Sequence, residues 1–168
     1  MDRQQIGLKL TLDALGLPAR VGTFSQRLAL QKAIYLAQVG GVQLGYQFHW
    51  YLRGPYSPGL TRDAFALVAE LNQGADDADG WNLDAASSQR ANDLRRLFDG
   101  VDAEELPIKL ELLASVHFLL QTRAWQNLDT AQLRAVLLRY EKNFSEEQIQ
   151  HAVEELTRHG LCPGSGSK

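Results

Sequence analysis

Between Arg27 and Asp63 the hydrophobic period of this chain changes once, and that change constrains the fold more than any other feature. RLALQKAIYLAQ places Leu30, Ala33, Ile34 and Ala37 at i, i+3, i+4 and i+7, the spacing of a helix with one apolar stripe. Ser25 is available to cap that helix, and Gly40-Gly41 to end it. In YQFHWYL the alternation becomes two: Phe48, Trp50 and Leu52 share one face of an extended segment, and Gln47, His49, Tyr51 and Arg53 the other. In RGPYSP, Pro55 suits the second position of a turn and Ser57 is a good N-cap. Pro58 fits the first helical position, where its missing N–H would have lacked a partner anyway. Gly54, Pro55, Ser57 and Pro58 are therefore expected to form a strand-to-helix joint.

Caps and periodicity place further helices on either side. Ile6, Leu10 and Ala14 lie four apart in an N-terminal helix that closes at Leu17-Pro18. Leu60, Ala64, Leu67 and Leu71 form the stripe of a helix opened by Pro58, with Asn72-Gln73-Gly74 as its stop. Asp84 is the expected cap of the next helix, which carries Leu94, Leu97 and Phe98 and ends at Gly100. Pro107 opens a long helix with Leu106, Leu110, Leu113, His117 and Leu120 on one line, expected to be central. Asp129 caps a short helix, and Ser145 with Gln148 makes a capping box for a last one that stops at Gly160. The fold class is thus mainly α: six or seven helices with a small strand or hairpin around residues 46–53, distantly like a winged helix.

At 168 residues, one globular domain over 1–162 is expected, with 163–168 (PGSGSK) as a flexible tail. A single cysteine, Cys162, excludes an internal disulfide and fits a reducing, cytoplasmic setting. Nothing near Met1 reads as a signal core, and no apolar run approaches the roughly 18 residues of a membrane span. Net charge is −3 but unevenly spread. Residues 1–62 hold seven Lys/Arg against two Asp, whereas 63–111 hold four against twelve Asp/Glu. An acidic middle third is ordinarily a solvated surface, and it also suits docking onto a basic partner.

The residues of common catalytic machinery are not arrayed for it. His49, His117, His151 and His159 lack a second ligand at metal-binding spacing, so no metal site and no cofactor are expected. His117, on an apolar helical stripe, reads as a core histidine bonded to a backbone carbonyl. Asp76, Asp77 and Asp79 resemble the start of a calcium loop without its glycine and closing glutamate. No phosphate-cradling or acyl-transfer motif appears. Residues 129–158 read as two short helices that could form a helix-turn-helix, yet Glu146, Glu147, Glu154 and Glu155 outweigh Arg158 and would repel phosphates. Arg53 and Tyr56, by contrast, are side chain types that anchor protein interfaces.

LQKAIYLAQ, then LGYQFHWYLRGPYSP, then LTRDAF resembles the YwgA-like and SocA-like (Panacea) group of small bacterial proteins. The likeness spans about 40 residues of the chain. It extends to the C-terminal domain of the DarG-type macro-domain antitoxins that oppose DNA ADP-ribosyltransferase toxins. No macro domain is present, so the resemblance implies either such a C-terminal domain or a free-standing relative. It implies a non-enzymatic antitoxin or adaptor that binds a toxin protein, the product of an adjacent gene. Arg53 and Tyr56 would contribute to toxin binding, as would a DNA-mimicking acidic surface of Asp76, Asp77, Asp79, Asp99, Asp102, Glu104 and Glu105. Two other readings stay open: a DNA-binding regulator using the C-terminal helix pair, and an enzyme working around His49, Tyr51 and Arg53.

Overall fold

The computed structural model describes residues 1–122 and 127–162; the expected tail at 163–168 lies outside them. Seven helices form among the described residues: α1 (Arg3–Leu15), α2 (Phe24–Val39), α3 (Pro58–Asn72), α4 (Ala85–Arg95), α5 (Leu106–Gln121), α6 (Thr130–Arg139) and α7 (Glu146–Arg158). A hairpin of β1 (His49–Tyr51) and β2 (Gly54–Tyr56) sits between α2 and α3. The mainly α class expected from the sequence is the class observed.

Polar side chains explain where most of these helices start. Asp2, Thr23, Asp129 and Ser145 each accept from the backbone N–H three residues on, and Gln5, Gln26, Gln132 and Gln148 return the bond. Each such cap stabilises its helix by about 1 kcal/mol. The cap of α2 is Thr23 rather than Ser25, because only Thr23 has a glutamine three residues on to complete the box; Ser25 falls inside the first turn. Ser57 and Asp84 cap α3 and α4 as expected, with Pro58 at the first position of α3. Helix α4 stops at Arg95, short of Gly100, and Leu97 and Phe98 are buried in the turns beyond it.

Helices α2 and α5 pack along each other at the centre, α1 packs on α3 and α4, and α7 packs on α5 and α6. The single stripe expected of α2 underestimates its burial: every residue from Gln31 to Ala37 is buried. In α5 the residues from Leu110 to His117 are likewise buried without a break. Covering a helix on all sides puts its polar residues inside too, and those residues build the site.

The hairpin pairs His49 with Tyr56, Trp50 with Pro55 and Tyr51 with Gly54. The extended segment expected to run to Arg53 therefore stops at Tyr51. Leu52 and Arg53 form the turn, and Leu52 is 74% exposed instead of sharing a buried face with Phe48 and Trp50. Pro55 is a strand residue rather than a turn residue, so GPYSP is the second strand plus a helix start. Underneath, Phe48 packs edge-on against Tyr35, and Trp50 meets Phe118 and Tyr140.

Two glutamines of α2 hold this segment. Gln38 donates to the Tyr46 carbonyl at 2.7 Å and accepts from the Tyr46 N–H at 2.8 Å. Gln31 does the same with Ser57, at 2.9 and 3.0 Å, and also donates to Thr61 Oγ1 at 2.8 Å. Each primary amide satisfies one residue's backbone donor and acceptor, as a neighbouring strand would.

His117 is the buried core histidine expected. Its Nε2 donates to the Leu161 carbonyl at 3.1 Å, which fixes the tautomer in which Nδ1 accepts from the Tyr35 hydroxyl at 2.7 Å. Burial holds its pKa at about 4. The folded state thus resists a proton that the unfolded chain takes up near pH 6.5, so stability falls as pH drops from about 6.5 to about 4. This group should account for about 3 kcal/mol across that window. Urea midpoints for the protein and His117→Gln check it: the variant should lose most of that acid dependence, and an unchanged slope would refute the assignment.

Candidate functional site

Four exposed large apolar side chains cluster around the hairpin. Phe24 at the start of α2, Tyr51 and Leu52 at the hairpin tip, and Phe65 on α3 all project into solvent. Together with Arg53 and Tyr56 they enclose a depression of about 490 Å³ whose floor includes Lys32. Tyr51 packs against Tyr56 at 5.6 Å between ring centroids, and the Arg53 guanidinium lies 5.9 Å from the centre of the Phe24 ring. Tyr56 accepts from Thr61 Oγ1 at 2.9 Å, which fixes its phenol at the wall. An arginine and aromatics on a rigid frame make contact area available at low entropic cost.

A buried group of charges supports that surface. Lys32, 1% exposed, donates from Nζ to the Pro55 carbonyl at 2.6 Å. Glu111 of α5 accepts from Lys142, both side chains buried, and Arg53 Nη1 stands 3.8 Å from the same carboxylate oxygen. One carboxylate is thus shared by two cations while a third, Lys32, lies close by. Burial and the Lys142 charge bring the Lys32 pKa down to about 7 against the opposing pull of Glu111. Burial lowers Lys142 as well, opposed by its bond to Glu111. Gly54 closes the hairpin over this group with a φ of +82° and rests on the Ser115 hydroxyl of α5.

The residues expected to bind a partner are not brought together. Arg53 and Tyr56 lie at the depression, with Gly54, Pro55, Ser57 and Pro58 as its frame. Asp76 and Asp77 face α1 instead: Asp77 and Glu70 pair with the Met1 amine, and Asp76 lies 3.7 Å from Lys9. Asp99 pairs with Arg95 at 3.6 Å. Asp79, Asp102, Glu104 and Glu105 are exposed and make no ion pair among the described residues. Glu104 borders a second depression of about 420 Å³ beside the start of α2, on the side of that helix away from Tyr56. His49 is exposed on the outer hairpin face, opposite Tyr56 in the register. Glu146, Glu147 and Glu154 are exposed on α7.

Periodicity did not reveal Gln31, Lys32, Gln38, Glu111, Ser115 or Lys142. One signal was available for the first three: the run LALQKAIYLAQ sets two glutamines seven residues apart and a lysine among apolar neighbours, a pattern of buried polar groups with dedicated partners. Among the described residues no group of three or more His, Cys, Asp or Glu is arranged to hold a metal ion, and no helix is long and apolar enough to cross a membrane. No protein-family model, curated protein or solved structure matches the chain.

Proposed function

We propose that this chain is a non-enzymatic antitoxin or adaptor domain that acts in the cytoplasm by binding a toxin protein directly, with the hairpin face as its main contact. The observation that carries this reading is the gathering of Phe24, Tyr51, Leu52 and Phe65 in exposed positions around Arg53. Exposed apolar groups scattered singly are ordinary; several at one depression with an arginine mark an interaction surface. The resemblance of residues 30–65 to the Panacea group supports the toxin as partner, and a DNA ADP-ribosyltransferase as its class. The exposed carboxylates at 79, 102, 104 and 105 then act at a distance, steering a basic protein rather than anchoring it. The glutamates exposed on α7 weigh against the DNA-binding alternative, since they would repel phosphates.

The test is co-expression with the product of the adjacent gene, capture of one on the other, and rescue of growth where that product is toxic. Leu52→Asp combined with Phe65→Ser should weaken the complex by about 30-fold or more, the scale of a lost hot spot, while leaving the fold intact because both side chains are exposed. Reversing Asp79, Asp102, Glu104 and Glu105 to lysine should slow association at low salt and change little at high salt. If the charge reversals abolish the complex and the hairpin variant does not, the acidic surface is the contact and the hairpin assignment fails.

A further inference from the structure

The depression between α2, the hairpin and α3 has a one-sided charge. Arg27, Lys32 and Arg53 border it, and among the described residues no aspartate or glutamate does. Arg27 is committed elsewhere, donating to the Val21 carbonyl at 2.9 Å. Lys32 is under-partnered: an ammonium has three protons to donate, and among the described residues Nζ has one acceptor, Pro55. Its nearest carboxylate, Glu111, already serves Lys142 and Arg53. The remaining wall is aromatic, from Phe24, Tyr51, Tyr56 and Phe65. A volume of about 490 Å³ is in the range that accepts a ring with a small polar group attached.

We propose that this depression is a socket for an aromatic side chain with a carboxylate beside it, presented by the protein partner: the ring enters among Phe24, Tyr56 and Phe65, and the carboxylate meets Lys32 and Arg53. The inference rests on the protein-binding reading and names the chemistry that reading requires of the partner. Charge selects the occupant, because a neighbouring carboxylate gives Lys32 Nζ a second acceptor and favours its charged form, whereas an aromatic group alone does neither. The charged groups that act on Lys32 are Glu111 from α5 and Lys142 after α6, and Arg53 from the hairpin stands against the same Glu111 carboxylate. With its pKa at about 7, Lys32 is largely neutral at pH 8. A carboxylate beside it raises that pKa, so the anion enters together with a proton.

The experiment titrates the full chain with N-acetyl-tryptophan and with N-acetyl-tryptophanamide, two probes that differ in the carboxylate alone. Backbone amide shifts in NMR and calorimetry at pH 8 are followed in two buffers of different ionisation enthalpy. The acid should bind about tenfold or more tightly than the amide, shift residues of the hairpin and α2, and take up protons. Lys32→Met should remove the proton uptake and bring the two affinities within about twofold; Arg53→Gln, at an exposed residue, should narrow the gap without disturbing the fold. Equal affinities for acid and amide, or no binding of either while the protein complex still forms, would overturn the socket and leave the protein-binding reading standing. A preference for the acid with no protein partner captured would overturn the partner as occupant and assign the socket to a free aromatic acid.

Discussion

Replacing Glu111 by leucine should destabilise the fold by about 3–5 kcal/mol, far more than the loss of a surface ion pair. The change leaves the buried Lys142 ammonium without its acceptor and removes the one carboxylate among the described residues that opposes the positive charge at Lys32 and Arg53. Lys142 and Lys32 would then repel each other with nothing between, and both amines should become easier to deprotonate. Pairing the change with Lys142→Met removes the orphaned charge, and the double variant should recover to within about 1–2 kcal/mol of the parent, since well-packed apolar pairs replace buried ion pairs at little cost. Urea denaturation of the three variants at pH 7 checks this through the coupling energy. A single variant that costs less than about 1 kcal/mol would show that Glu111 is reached by water and that the charge group is not a closed unit.

Gly54→Ala is the second change with a large expected effect, about 3 kcal/mol. At a φ of +82° an L side chain is strained, and a Cβ built there lies 2.5 Å from the Ser115 hydroxyl oxygen. Strand β2 cannot simply back away, because Lys32 holds it from one side through the Pro55 carbonyl. The two contributions separate experimentally. Ser115→Ala removes the obstructing oxygen, which is buried and has no hydrogen-bond partner among the described residues, so alone it should be neutral or slightly stabilising. Combined with Gly54→Ala it should recover the steric part and leave the backbone strain of about 1–2 kcal/mol. Thermal unfolding of the four proteins in the cycle decides the matter, and additivity of the two changes would rule out the contact as the cause.

What the sequence made legible follows from the range of the interactions involved. Helix starts are set within four residues, so Ser57, Asp84, Asp129 and Ser145 could be read as caps directly. The choice between Thr23 and Ser25 turned on Gln26, which is equally local but has to be weighed as a pair. The hairpin was half legible. Alternation placed Phe48 and Trp50 inward and His49 and Tyr51 outward, but a turn at Leu52 and Arg53 depends on Gly54 being carried by α5, and that helix begins more than 50 residues later. The candidate site was legible at Tyr51, Arg53 and Tyr56. Lys32, Glu111 and Lys142 come from three distant segments, and a lysine within an apolar run looks like a surface residue until the helix is seen to be enclosed. The acidic series looked continuous because its residues are close in sequence, whereas folding turns Asp76 and Asp77 toward α1 and Asp99 toward Arg95.

The paired amides of Gln31 and Gln38 carry a consequence for engineering. By gripping the backbone of Ser57 and Tyr46 they hold both ends of the segment 47–56 to a rigid helix without reading any side chain in it. A helix that fastens a loop by its two ends, indifferent to the letters in between, is a display frame. Foreign hairpins grafted between Tyr46 and Ser57 would inherit their anchoring from α2, provided that Phe48 and Trp50 are kept for their packing on Tyr35, Phe118 and Tyr140 and a glycine where β2 crosses Ser115.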